Sequence, residues 1–315
     1  MAHRGALPHC GRMTDHPRQL LSLEDGRQAS YVTFGLGDPL LWIEGGPGYP
    51  ASLGIPDCEL LASRFTCYLV DAPGSGESTP TRSPDEHRWP AIVAWFDAVR
   101  TALQIPQWTL MGHSWGGLIA LAYAATHPAP VARLIVVDGY AGEASVPAED
   151  AEAATAAALI RHQGTPAFEA SLAPERDLNE KTTVDDLMRD MDPLYPLYFA
   201  YPERPASVAH IARLRREGAL NPDASRAWDL DGYASSVDLT PILRNISAPT
   251  LVLVGEHDWV CGPVWAHHIA AHTPDARLHI FHESGHCPQY EEPDRFVRVV
   301  EDWLTAAGKT TPEPP

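Results

Sequence analysis

Ser114 stands between glycines in Gly112-His113-Ser114-Trp115-Gly116, after the apolar run Trp108–Met111 and before a small-residue helical pattern, Gly117 to Thr126. This spacing matches a sharp strand-to-helix corner in which a serine is held in strained backbone angles at a helix N-terminus. Glycines on either side prevent side-chain clashes, and the helix dipole favours negative charge developing there. The chemistry implied is acyl transfer, in which the serine oxygen adds to a carbonyl and preorganised N–H donors hold the resulting alkoxide. One donor is the amide after the nucleophile, here Trp115, and the other comes from the loop after an earlier strand. Glu44-Gly45-Gly46-Pro47-Gly48 follows the run Leu40–Ile43 and fits that place, with Gly46 as the second donor and Gly45 adjacent.

A serine also needs a base, and the base needs a group that orients it. Among 15 histidines, position selects His286, in Ser284-Gly285-His286 after the run Leu278–Phe281. Asp258 follows the run Leu251–Val254 within Gly255-Glu256-His257-Asp258-Trp259. Both loops leave the C-terminal ends of strands, where open α/β sheets gather their sites. Asp138, also just after a strand run, is the reserve acid, and Glu256 is a weaker one. The pair His267-His268 reads as surface decoration. His282-Glu283-Ser284-Gly285-His286 matches H-E-x-x-H, a zinc pattern that requires both histidines on one helical face. Gly285 and Pro288 disfavour a helix there, so neither a metal nor an organic cofactor is expected.

The elements that must carry these groups are legible as short apolar runs ending in polar or glycine-rich turns. Cys67–Val70 and Leu134–Val137 join the runs already named, and Gln28 to Phe34 reads as a further strand after the Asp25-Gly26 turn. Continuous apolar runs of this length suit strands buried on both faces of a parallel sheet. Helical patterns alternate with them. Asp85 is expected to cap a helix carrying Ile92, Trp95, Phe96, Val99 and Leu103, and Phe296, Val300, Trp303 and Leu304 form the stripe of a last helix. The class predicted is α/β, a doubly wound, mostly parallel sheet with an inserted helical cap. Its expected divisions are an untethered extension over 1–19, with Met13 an alternative start, a core over 20–140 and 246–308, a helical cap over 141–245, and a tail over 309–315. The cap opens with the alanine-rich stretch Ala151 to Ile160.

Composition narrows the function classes. With 23 Lys+Arg against 41 Asp+Glu the net charge is −18, and no basic stripe is visible, so nucleic acid and anionic membranes are not expected partners. No apolar run approaches the roughly 20 residues of a membrane span, and the start lacks a secretory h-region. Five scattered cysteines do not form a disulfide framework, which points to a reducing cytoplasm.

Taken together, these motifs resemble the α/β-hydrolase-fold serine hydrolases across roughly Leu20 to Ala306, and most of all the proline iminopeptidase group. The resemblance is carried by Gly45-Gly46-Pro47-Gly48, Asp71-Ala72-Pro73-Gly74-Ser75-Gly76-Glu77-Ser78, Gly112 to Gly117, Gly255 to Cys261 and Ser284-Gly285-His286. The order Ser114, Asp258, His286 is that of the superfamily. The resemblance implies a Ser-His-Asp triad, an acyl-enzyme and a small-molecule or short-peptide substrate. Two departures stand out: the group usually has histidine at the place of Glu44, and a glutamine-arginine pair where Ala72-Pro73 stand. The group also holds a substrate's free amine with acidic cap residues, for which Glu203, Asp229 and Asp231 are possible equivalents. Tyr195, Tyr198, Phe199 and Tyr201 are expected to shape an apolar pocket. Two other readings stay open: an esterase, lactonase or carbon–carbon-bond hydrolase, in some cases within a biosynthetic pathway, and a binding protein on a retired hydrolase fold.

Overall fold

Eight strands form one sheet in the order β1-β2-β4-β3-β5-β6-β7-β8. They are β1 (Gln19–Ser22), β2 (Gln28–Gly35), β3 (Asp38–Ile43), β4 (Phe65–Val70), β5 (Trp108–His113), β6 (Val131–Val137), β7 (Thr250–Gly255) and β8 (Ala276–Phe281). Pairing is antiparallel at β1–β2 and β2–β4 and parallel from β4 through β8. The structure, a computed structural model, describes residues 16–172, 178–179 and 181–307. Most of the expected N-terminal extension, and the tail over 309–315, lie outside the described residues.

β1 reaches back into the segment expected to be untethered. Arg18 pairs with the fully buried Asp71 and donates to Ser30 Oγ (2.8 Å), while Gln19 accepts from the Tyr31 hydroxyl (2.8 Å). A buried carboxylate without a cation is costly, and that need ties this edge strand down.

Helices cover both faces. On one, α1 (Trp89–Ala102) and α2 (Trp115–Thr126) bury Trp95, Phe96, Val99, Leu118 and Leu121 against the sheet. The helix expected to start at Asp85 begins instead at Trp89. Asp85 lies in a separate 3₁₀ turn, Pro84–His87, and Arg88, in extended conformation, precedes α1. Pro90 in the first turn is the physical reason, since its fixed φ and missing N–H suit a helix start. On the other face, α7 (Pro293–Ala307) packs Phe296, Val300 and Trp303 onto Leu251, Leu253 and Phe281.

Between β6 and β7 the described residues contain helices and turns but no strand. Helices there include α3 (Ala148–Leu159), α4 (Pro205–Glu217) and α5 (Pro222–Asp229); α6 (Pro263–His272) follows β7. Among the described residues no helix is long and apolar enough to cross a membrane.

Phe296 is wholly buried with its ring centroid 6.0 Å from that of Phe281. Truncating it leaves a cavity between sheet and helix, so Phe296→Ala is expected to lower unfolding free energy by about 3–5 kcal/mol. Urea denaturation followed by circular dichroism measures this, and a loss under ~1 kcal/mol would contradict the packing described.

Candidate active site

The corner after β5 is set by sterics. Ser114 has φ 56° and ψ −123°, a conformation that an L-residue keeps only when its surroundings enforce it. Its N–H donates to Val137 O (2.9 Å) and its C=O accepts from Gly117 N (2.9 Å). A Cβ on Gly112 would collide with the Gly116 carbonyl, and one on Gly116 with the Ile43 carbonyl at the end of β3. The glycine loop also comes close: a Cβ on Gly45 would lie 3.3 Å from Ser114 Cβ. Gly46, at φ 125°, therefore lies next to the serine, and Trp115 is the first residue of α2, whose amide belongs to the unsatisfied first turn.

His286 and Asp258 meet across two loops. The Asp258 Oδ2 accepts from His286 Nδ1 at 2.8 Å, and both side chains are buried. The Asp258 Oδ1 accepts from the amides of Val260 (2.8 Å) and Cys261 (3.2 Å), which fixes the carboxylate. This arrangement leaves Nε2 as the free ring nitrogen, in the tautomer able to accept a proton. His286 N–H donates to Tyr198 O (2.7 Å), and its C=O meets His113 Nε2 (2.8 Å). Burial drives the His113 imidazole down to about 3, so it stays neutral and acts here as a donor to that carbonyl. Glu291 ties the His286 loop to the helical excursion, accepting from Gly285 N (2.6 Å) and Tyr201 N (3.0 Å).

Asp138, the reserve acid, stands directly behind. Ligand atoms of Asp138, Asp258 and His286 all lie within 4.8 Å of one another. Asp138 Oδ1 accepts from Gly255 N (2.8 Å), and burial together with the Asp258 charge pushes its carboxyl well above the ordinary range. The imidazole is bonded to Asp258 and not to Asp138. Glu256 is engaged elsewhere, with the exposed His282 (2.7 Å). The H-E-x-x-H histidines do not share a helix: His282 and His286 lie on a turn between β8 and the short helix Pro288–Glu291.

Ser114 and His286 line one cavity of about 270 Å³, with Gly45, Gly46 and His113 around them. Tyr198, His210, Leu214 and Trp228 complete it from the helical excursion, which thus lies over the strand ends. A second cavity of about 400 Å³ reaches Ser114 and Gly46 from the side of α3, between Tyr140, Glu152 and Trp265. Of the expected pocket residues, Tyr198 and Asp229 line the first cavity. Tyr195 and Phe199 are fully buried in a cluster behind it, because their rings pack on Leu53, Ile211 and Leu214. Glu203, Asp231 and Tyr201 are not among the lining residues of either cavity; Tyr201 instead carries the Arg204 guanidinium on its ring, 3.6 Å from the centroid.

Several polar groups of the first cavity carry no motif in the sequence: Asp57, His210, Gln289 and Tyr290. The nearness of Gln289-Tyr290 to His286 along the chain was the one available signal. Glu44, where the resembled group has histidine, accepts from Trp42 Nε1 (3.0 Å) and Gly45 N (2.8 Å).

Comparison with known proteins agrees with this fold. A family model described as alpha/beta hydrolase fold matches residues 38–293. The chain is 28% identical to a proline iminopeptidase of Neisseria gonorrhoeae, over 85% of this chain and 89% of that one. It is 30% identical to a 2-hydroxymuconate semialdehyde hydrolase of Pseudomonas sp. (strain CF600), over 87% and 89%. Among solved structures, an alpha/beta fold family hydrolase from Bacillus anthracis superposes with TM-score 0.70 at 21% identity, covering 91% of this chain and 99% of that one.

Burial, reinforced by the Asp57 charge, raises the Glu44 carboxyl from 4.5 to about 7. A carboxyl whose pKa rises on folding binds its proton more tightly in the native state. Its stabilising contribution is full below pH 4.5 and fades as pH climbs through 7. Glu44→Gln removes that titration, so the variant should gain stability relative to the parent between pH 4.5 and 7.5. Denaturation midpoints across this range test it; parallel curves for the two proteins would contradict it.

Proposed function

The chain belongs to the α/β-hydrolase fold family and is a hydrolase, and from that premise we propose that it works through a Ser114 acyl-enzyme. The observation that carries this reading is the 2.8 Å bond between Asp258 and His286 Nδ1, with the imidazole and Ser114 on one cavity wall. Ser114 Oγ bonds to the substrate carbonyl carbon as its proton passes to His286 Nε2. The amides of Gly46 and Trp115 hold the oxyanion, and the proton is returned to the departing group. Water then repeats the sequence and frees the acid. Asp258 keeps the imidazole in the productive tautomer and stabilises its protonated form, while Asp138, held neutral, supports Asp258 without competing for the ring. Residues 141–245 act as a cap over a core made of 20–140 and 246–308.

For the substrate we infer an aminopeptidase-like preference for a small N-terminal residue. Support comes from the likeness to proline iminopeptidases and from the acidic groups Glu44, Asp57 and Asp229 on the cavity wall. A second reading, hydrolysis of an ester or of a carbon–carbon bond in a small apolar substrate, is favoured by the similarity to 2-hydroxymuconate semialdehyde hydrolase.

Ser114→Ala should lower kcat by roughly 10⁴–10⁶-fold with the fold intact by circular dichroism, and should abolish labelling by a fluorophosphonate. Turnover equal to that of the unmodified protein would end the mechanism. A panel of prolyl and alanyl anilides, their N-acetyl forms and short acyl nitrophenyl esters separates the two substrate readings. Loss of anilide cleavage on acetylation is expected, and equal handling of capped and free forms would favour the second reading.

A further inference from the structure

The main chain of the proposed base is not held by the sheet. His286 lies between β8 and the short helix Pro288–Glu291, and the amides of Gly285 and His286 both end on groups outside the strands. Gly285 N–H donates to Glu291 Oε2 (2.6 Å), and His286 N–H donates to Tyr198 O (2.7 Å) in the helical excursion. The other oxygen of the same carboxyl, Glu291 Oε1, accepts from Tyr201 N (3.0 Å). The two segments approach closely because residue 285 is glycine: a Cβ there would lie 2.6 Å from Tyr198 O and 2.9 Å from Ala200 N. One carboxyl thus joins the two pieces of chain whose relative position decides where the imidazole stands.

Both bonds need the ionised form. A carboxylate accepts at each oxygen, whereas protonation turns one oxygen into a donor that faces an N–H. Burial raises this carboxyl from 4.5 to about 7, against the pull of the Gly285, Tyr201 and Ala200 amides and of Arg204. Arg204, on the excursion, donates to Glu283 Oε2 (3.1 Å) and lies over the Tyr201 ring. On the core side Asp138 and the Cys287 thiol feel the Glu291 charge, and burial first of all raises both well above their ordinary ranges. The neighbouring Glu292 accepts from Arg295 (3.0 Å) and from Ser284 Oγ (2.9 Å).

We propose that Glu291 is a positioning residue of the reaction: its carboxylate holds the His286 loop and the segment 198–201 in one register, and so keeps the imidazole in line with Ser114 and Asp258. Misplacing a reacting group by about an ångström can cost on the order of a hundredfold in rate. The proposal rests on the acyl-enzyme reading. It gives the excursion a part in the chemistry besides enclosing substrate, since the base takes its place from Tyr198 and Tyr201.

Labelling of the full-length protein by a fluorophosphonate, followed as a second-order rate constant across pH, tests this without a known substrate. Glu291→Gln keeps the shape of the side chain but has one acceptor oxygen, as the protonated acid does. It is expected to label roughly 10–100-fold more slowly than the parent at about pH 8.5 and within about threefold of it at about pH 5.5, with circular dichroism unchanged. The titration of His286 is common to both proteins and drops out of the ratio. Slowing by the same factor at every pH would mark a structural contribution alone and overturn the proposal, as would equal rates throughout. If circular dichroism shows Glu291→Gln misfolded, Glu291→Asp carries the test. It keeps the charge but loses reach to one of the two amides, and should label roughly tenfold more slowly at about pH 8.5, converging on the parent towards acid pH. A ratio that does not change with pH would overturn the proposal here too. Parent protein that takes no label fails the acyl-enzyme reading itself, and the proposal falls with it.

Discussion

The rest of the site depends on a steric bargain at one corner. A serine at φ 56° and ψ −123° persists only where the chain on both sides can pass without side chains. Gly112 lets the Gly116 carbonyl pass, and Gly116 lets the corner sit on the Ile43 carbonyl at the end of β3. The same contact brings the loop after β3 against the serine, so one set of missing methyl groups positions both the hydroxyl and the neighbouring glycine amides. Strain is tolerable here because β5 and β3 are adjacent in the middle of the sheet, with bonded neighbours on each side.

Burial then sorts chemically identical carboxyls into different states. Asp258 and Asp138 are both closed off from solvent, yet two backbone amides and an imidazole surround the first, whereas one amide and the negative field of its neighbour surround the second. The outcome is that the Asp138 carboxyl is held well above the ordinary carboxylate range by burial and by the neighbouring carboxylate. Glu44, Asp57 and Glu291 are raised for the same dominant reason, desolvation, and each retains only part of the hydrogen bonding needed to hold a full charge.

Much of this was readable in the sequence, and the limits have physical causes. The parallel strands announced themselves because strands covered on both faces are apolar throughout, as in Leu251–Val254. Ser114, Asp258 and His286 were visible because strand ends and glycines fix where a loop residue emerges. The start of α1 was misplaced because Asp85 satisfies the local rule for a cap, while Pro90 and the extended Arg88 decide the actual boundary. β1 was missed at Gln19 because its hold comes from Arg18 reaching Asp71, 53 positions along the chain. The aromatic patch misled for a related reason: Tyr195 and Phe199 alternate with Tyr198 along one segment, and only the packing of α4 shows which ring faces the cavity. Asp57 and Gln289 carry no signature, since each reaches the cavity from a short helix with no recognisable motif around it.

The two cavities share Gly46, Ser114 and Val260 as wall residues, one extending beneath the helices between β6 and β7 and the other along α3 toward Trp265. Of these three, only Val260 has a side chain whose bulk can be varied without touching the strained corner or the glycine loop. The width of the passage between the two spaces is therefore set by a single aliphatic residue.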